Sequence, residues 1–180
     1  MTDYWFWENG LPKELCEIVL KERDNITPEK SSFANVQGEY IEDKSVRDSN
    51  IYWLPCNHWI EGILFNYGRY ANLATGWNFK LMQPQFIQVT EYNEEGHYDW
   101  HVDWDPFSTD FLIRKVSTVC LLNDPSEFEG GEFELEGGRV ISMKQGSVIS
   151  FPSFLRHRVR PVTKGNRVTA VCWTLGEKIL

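Results

Sequence analysis

The ten residues from Gly96 to Asp105 hold two imidazoles and three carboxylates, in a chain with only four histidines. The pattern His-x-Asp occurs twice, as His97-x-Asp99 and His101-x-Asp103. Successive side chains on a strand point to opposite faces, so His97, Asp99, His101 and Asp103 would share a face if a strand runs through them. Either pair could then place an imidazole nitrogen and a carboxylate oxygen on one metal ion. Such a pair supplies two ligands, and a third must come from elsewhere. The other histidines are His58, in a stretch with helical spacing, and His157, directly after a strand-like segment.

Two imidazoles and one carboxylate on one side of an ion, with the remaining positions open, form the donor set of non-haem Fe(II) oxygenases. His-x-Asp alone is a weak signal, since polar loops produce it by chance. It gains weight because Arg167 follows His157 by ten residues and opens an apolar strand. Along 167–173 the odd positions share a face, which sets Arg167 beside Thr169. A guanidinium fork next to a hydroxyl suits a carboxylate at the end of a narrow pocket. A solvent-facing arginine after the Gly165-Asn166 turn is the plainer alternative. Arg156, Arg158 and Arg160 read as a solvated rim, or as a patch for an acidic or phosphate-bearing partner.

Two kinds of segment must position these residues. Residues 11–24 read as an amphipathic helix with Leu11, Leu15, Ile18 and Val19 on its apolar side and Pro12 in its first turn. Residues 25–50 are polar and turn-rich, with an extended piece after Arg47. A second helix is expected over 57–75, with Trp59, Ile63, Leu64, Tyr67 and Tyr70 on one side. From Gln83 onward alternation takes over, in 85–92, 116–122, 131–135, 146–151 and 167–173, separated by turn signals such as Asn123-Asp124-Pro125 and Gly137-Gly138. Short strands at such intervals indicate a sandwich or barrel. Phe86, Gln88, Thr90 and Tyr92 would share one strand face, a mix that suits a pocket wall.

Composition sets outer bounds. The chain has 180 residues, is 42% hydrophobic and carries a net charge of -8 from 18 basic and 26 acidic residues. That length suits one domain, spanning 1–180, with a helical support region over 1–80 and a β core over 83–175. The acidic balance disfavours nucleic acid and anionic lipid as partners. Cys16, Cys56, Cys120 and Cys172 form no C-x-x-C pair and read as reduced thiols. The first residues lack a signal-peptide pattern, and no apolar run is long enough to span a bilayer. These features point to a cytoplasmic protein.

Taken in order, the motifs resemble those of the Fe(II)/2-oxoglutarate-dependent dioxygenase superfamily, in particular its prolyl 4-hydroxylase branch and the PKHD-type hydroxylases. The likeness covers roughly residues 83–175. It rests on Tyr92-x-x-x-Gly96-x-Tyr98-x-x-His101-x-Asp103, Arg114-x-x-Ser117, Leu121-Leu122-Asn123, Gly130-Gly131-Glu132, Gly146-x-x-x-x-Phe151-Pro152-Ser153, His157, Arg167 and Trp173. The stretch Arg47-x-Ser49-x-x-x-Trp53-Leu54 adds a weaker likeness to the PKHD-type members.

The resemblance decides between the two pairs. The family has a tyrosine three residues before its metal histidine and another nine before it; Tyr98 and Tyr92 fit His101, whereas Glu94 and Gln88 precede His97. The implied ligands are therefore His101, Asp103 and His157. Pro106 would end the strand beyond them, and residues 104–113 would form a lid. The implied fold is mainly β with N-terminal helices, around a double-stranded β-helix, a cupin-like jelly roll. The implied cofactors are Fe(II), 2-oxoglutarate and O2, with ascorbate as an accompanying reductant. Arg167, Tyr92 and Thr169 would hold 2-oxoglutarate; Leu121 stands where many prolyl hydroxylases carry a tyrosine. Tyr98, Arg114 and Trp173 would stand beside the substrate. The implied activity hydroxylates a C–H bond with release of succinate and CO2, on a proline-containing peptide or protein loop. A hydroxylase of a free amino acid or other small molecule is the first alternative, and a non-catalytic cupin-like binding protein the second.

Overall fold

The computed structural model describes residues 2–34, 40–105, 108 and 110–178. Its elements run β1 (Trp5–Trp7), α1 (Lys13–Arg23), β2 (Glu29–Lys30), β3 (Phe33–Ala34), β4 (Tyr40–Ile41), β5 (Arg47–Asp48), β6 (Asn50–Trp53) and α2 (Trp59–Thr75). There follow β7 (Leu81–Pro84), β8 (Gln88–Tyr92), β9 (His97–His101), β10 (Leu112–Leu121), a 3-10 turn (Pro125–Glu127) and β11 (Phe128–Gly130). The chain ends with β12 (Phe133–Leu135), β13 (Arg139–Ile141), β14 (Val148–Pro152), β15 (His157–Val159), β16 (Val162–Gly165) and β17 (Arg167–Glu177).

Branched and small apolar residues make β10 and β17 the long central strands, paired antiparallel from Leu112↔Glu177 to Leu121↔Thr169. Around them the major sheet runs β1-β14-β10-β17-β8-β6-β2, with β7 also on β17, and a second sheet runs β13-β12-β15-β9-β5. The two sheets face each other as a double-stranded β-helix. Residues directly opposite in a ladder share a face. Arg167, Thr169 and Val171 therefore point the same way as their partners Tyr92, Thr90 and Gln88. This is the inner face. Tyr92, Val119, Ile149 and Phe151 meet Phe133, Leu135 and Val159 of the second sheet there. The alternate residues Val89, Cys120, Val168, Ala170 and Cys172 form the outer face and pack on Cys16, Val19, Ile60 and Leu64 of the two helices.

The helices fall where their spacing predicts them, and part of each expected face turns inward. Leu11 just ahead of α1 and Val19 within it are buried as expected, beside Cys16 and with Leu15 packed against them, while Ile18 is 42% exposed. In α2 the inward row is Ile60, Leu64, Gly68 and Ala71, not the aromatic row through Trp59 and Tyr70. The cause is close approach. A Cβ on Gly68 would sit 3.0 Å from Thr174 Oγ1 and 3.1 Å from Thr118 Oγ1, so a small residue must face the sheet. The aromatics turn sideways onto β1, which the sequence reading left unassigned. Trp7 meets Tyr67 at 4.5 Å between ring centroids and Tyr70 at 5.9 Å. Residues 1–80 thus supply strands as well as helices to the sheets. Among the described residues, no helix is long and apolar enough to cross a membrane.

One irregularity decides the geometry of the site. Between β9 and β15, His101 pairs with His157 but Tyr98 pairs with Val159. Three steps on β9 oppose two on β15, so β9 carries a bulge between Tyr98 and His101. The bulge breaks the alternation expected from His97 to Asp103, and the strand ends at His101.

Candidate active site

His101 leaves the end of β9, Asp103 follows on a bend, and His157 opens β15 opposite His101. Their ligand atoms all lie within 4.8 Å of one another. His101 Nε2 is 3.7 Å from Asp103 Oδ1, and His157 Nε2 is 3.6 Å from Asp103 Oδ2. Both imidazoles are oriented by backbone. His101 Nδ1 lies 2.8 Å from the Asp99 carbonyl and His157 Nδ1 lies 2.9 Å from the Leu155 carbonyl. A carbonyl only accepts, so each Nδ1 donates and each Nε2 lone pair turns toward the carboxylate, as metal ligation requires. Burial drives His101 well below its ordinary pKa, with His157 adding to the effect. Burial pushes the Asp103 carboxyl upward, but His157, His101, Arg114 and the Ser117 hydroxyl outweigh it and hold it at about 2.

The Asp103 carboxylate is fixed by contacts the motif alone does not announce. Ser117 Oγ donates to Oδ2 at 2.6 Å and lies 3.0 Å from Ser153 Oγ. The Asp103 amide donates to the Ser153 carbonyl at 2.9 Å. Ser117 belongs to the Arg114-x-x-Ser117 motif, but its partner becomes visible only when β10 is set beside the bend.

The other His-x-Asp pair stays outside. Ahead of the bulge, His97 places Nε2 3.2 Å from the Ser45 carbonyl and Nδ1 2.9 Å from that of Glu95. Asp99 is exposed and accepts from the Trp100 amide at 2.7 Å. Tyr98 does face the triad, because the bulge lets residues three apart share a side. Its ring stacks on His101 at 3.4 Å with an 11° interplanar angle. The Arg47 guanidinium covers the ring at 4.4 Å, and burial pushes the Tyr98 phenol up to about 12. Arg47 is therefore a site neighbour that only the weaker N-terminal likeness signalled.

Arg167 lies on the same inner face and is 3% exposed. Burial lowers its guanidinium to about 10, with only Tyr92 raising it. The guanidinium carbon sits 5.9 Å from the Tyr92 ring centroid. No carboxylate lies within ion-pair reach of it among the described residues. A buried cation without an anion is costly unless a ligand supplies one. Thr169 and Thr90 sit beside it at 2% and 1% exposure, and Gly131 lets the arginine stem pass, since a Cβ there would be 2.9 Å from Arg167 Cδ. Phe86, expected on the pocket wall, precedes β8 and is 53% exposed.

At the mouth, the Arg114 guanidinium lies 3.6 Å from the Trp173 ring centroid, and Arg114 Nε donates to Gln85 Oε1 at 2.8 Å. Trp173 Nε1 is buried with no acceptor among the described residues. Arg158 and Arg160 both pair with Glu134 at 2.8 Å, and Arg158 also lies over Trp100, so part of the expected rim is tied down. Pro106, Phe107 and Thr109 of the expected lid lie outside the described residues.

Two imidazole nitrogens and a carboxylate oxygen on one side of a point fit a ferrous ion with open positions. The buried, unpaired Arg167 fits the far carboxylate of a dicarboxylic cosubstrate. The family model of the 2OG-Fe(II) oxygenase superfamily matches residues 87–175. The chain belongs to the 2OG-Fe(II) oxygenase superfamily. Its cofactors follow as Fe(II), 2-oxoglutarate and O2.

A PKHD-type hydroxylase from Hyphomonas neptunium is 36% identical over 101 residues, which is 52% of this chain and 43% of that protein. Another from Gloeothece citriformis is 38% identical over 90 residues, 48% of this chain and 41% of the relative. The matched stretch thus spans under half the length of these curated relatives. Solved structures share the fold across nearly the whole chain. The viral collagen prolyl hydroxylase of Paramecium Bursaria Chlorella virus-1, in complex with 2OG, superposes with a TM-score of 0.74 at 19% identity, covering 97% of each chain. A Trichoplax adhaerens prolyl hydroxylase bound to a hypoxia inducible factor peptide fragment gives 0.71 at 15% identity, covering 97% of this chain and 84% of that one.

Proposed function

We propose that this protein is an Fe(II)- and 2-oxoglutarate-dependent dioxygenase that hydroxylates a C–H bond of a peptidyl residue, most simply proline. The observation that carries the reading is the convergence of His101, Asp103 and His157 on one inner face with Arg167, a buried cation lacking an anion. The names of the curated relatives and of the structural neighbours agree with it.

In this reading His101 Nε2, Asp103 and His157 Nε2 hold the ion, and the Asp99 and Leu155 carbonyls keep both imidazoles in the ligating tautomer. Ser117 fixes the carboxylate so that it presents one face. Arg167 receives the far carboxylate of 2-oxoglutarate, with Tyr92 and Thr169 beside it. Bound there, iron supplies the redox chemistry that couples oxidative decarboxylation of 2-oxoglutarate to insertion of one oxygen atom into the substrate. Tyr98, held by Arg47, and the Arg114–Trp173 stack form the rim that positions the substrate chain and excludes water.

The test is incubation with iron, 2-oxoglutarate and proline-containing peptides, reading succinate and the mass of the peptide. The reading expects stoichiometric succinate and the gain of one oxygen on proline. Succinate formed only with a free amino acid would move the substrate class to small molecules.

A further inference from the structure

Beside the rim lies a cleft of about 460 Å3 whose walls include Phe79, Trp104, Ile113 and Phe154. It adjoins the site, since Trp104 follows Asp103 directly and Arg114, stacked on Trp173, also lines it. The aromatic walls face outward: Trp104 is 36% and Phe154 54% exposed. Phe79 and Phe154 meet edge to face at 6.2 Å.

The remaining lining residues are Lys115 and Lys178, so the described lining holds three cations and no carboxylate. In a chain of net charge -8 this is a local reversal of sign. It has a structural cause. The β10–β17 ladder shifts register between Arg114 and Val116, so Lys115 is the extra residue of a bulge. Adjacent residues on a regular strand face opposite ways, and the bulge re-aims Lys115 to the side that Arg114 occupies. Lys178 is held at the far wall by donating to the Ser108 carbonyl at 2.7 Å, which leaves further ammonium hydrogens free. Burial draws Lys115 below its ordinary value, and no carboxylate opposes that shift.

We propose that this cleft binds an acidic residue of the substrate chain, flanking the residue that is hydroxylated, with Lys115 and Lys178 as the charge-reading groups. The proposal rests on the reading that the substrate is a peptide. Lys115 and Lys178 in one aromatic cleft match a single carboxylate. They do not form the extended basic track that a nucleic acid backbone requires, and the protein's overall charge repels one. Selectivity for an acidic flank would then be gained against the mean field of the protein.

The test uses three equal-length peptides with a central proline flanked by glutamate, glutamine or lysine. Binding to the intact protein is measured by titration calorimetry, with Mn(II) and 2-oxoglutarate present. Partly exposed ion pairs are modest, so the glutamate peptide is expected to bind about fivefold tighter than the glutamine peptide, about 1 kcal/mol. The lysine peptide is expected to bind weakest. In the double variant K115Q/K178Q the preference should collapse to less than about twofold, and in K115E/K178E it should reverse. Equal binding of the glutamate and glutamine peptides, or a preference unchanged in K115Q/K178Q, overturns the proposal. Displacement of the glutamate peptide by a single-stranded oligonucleotide, dependent on the same lysines, also overturns it by making nucleic acid the occupant. Oxygen incorporation is read on the same peptides. Preference without oxygenation supports the cleft and counts against the prolyl reading; oxygenation without preference does the reverse.

Discussion

Replacing Arg167 with methionine should separate folding from function in an unusual direction. The guanidinium is 3% exposed, and burial lowers it from an ordinary 12.5 to about 10. At 1.36 kcal/mol per pH unit, holding it charged costs about 3 kcal/mol of fold stability. The sign follows from the direction. A base whose folded value is depressed destabilises the fold at every pH below that value, and the penalty is relieved only above about 10. At neutral pH the whole cost is present. Methionine keeps much of the stem volume and removes the charge, so the ligand-free variant should be as stable as the wild type or more so, by up to about 3 kcal/mol. For a chain this size that is a rise in Tm of up to about 10 °C. The same change removes the receiver of the cosubstrate carboxylate, which should cost about 2–5 kcal/mol of binding, or thirtyfold and upward in affinity. The assay is thermal unfolding with Mn(II), with and without 2-oxoglutarate, in both proteins. Wild type should shift upward with the ligand through mass action and the variant should not. A variant markedly less stable without ligand, yet still shifted by 2-oxoglutarate, would refute the reasoning.

Other consequences are as specific. Ser117→Ala should leave the fold intact but lower metal affinity about 10- to 100-fold, read by calorimetric titration, because Asp103 loses its 2.6 Å anchor. Gly131→Ala should raise the 2-oxoglutarate requirement and cost about 1 kcal/mol in chemical denaturation, since the residue has φ +66 and its Cβ would meet Arg167 Cδ at 2.9 Å. Glu91 is lowered from its ordinary value: burial raises it, but Tyr52, Arg23 and Asn166 together outweigh that. Its contribution is present above the unfolded carboxylate value and lost as pH falls through the folded one. Acid melts should therefore fall more steeply for the wild type than for Glu91→Gln, with the variant weaker by about 1–3 kcal/mol at neutral pH.

Alternation made the inner face readable. Arg167, Thr169, Thr90 and Tyr92 fall where period-two spacing puts them, because β-branched neighbours fix which side of each strand is core. Spacing alone left two His-x-Asp pairs open; the family resemblance selected His101, Asp103 and His157, and the structure brings these three together. What escaped was local irregularity. The bulge between Tyr98 and His101 has no glycine to announce it, and it sends His97 and Asp99 away from the site. The bulge at Lys115 is equally silent and turns a strand residue into a cleft residue. On α2 the spacing placed Leu64 inward correctly but not Trp59 and Tyr70, because close approach to Thr118 and Thr174 selects Gly68 for the sheet-facing row. β1 is three residues long, too short for periodicity to reveal, though its aromatics anchor the outer flank of α2.

The central claim is that one ion and one dicarboxylate share the barrel through four side chains. A crystal grown with Mn(II) and 2-oxoglutarate without oxygen tests it most directly. The account expects a single anomalous peak bonded to His101 Nε2, Asp103 and His157 Nε2, with the far carboxylate of the ligand on Arg167. A metal bound elsewhere, or a ligand whose far carboxylate leaves Arg167 untouched, would contradict it.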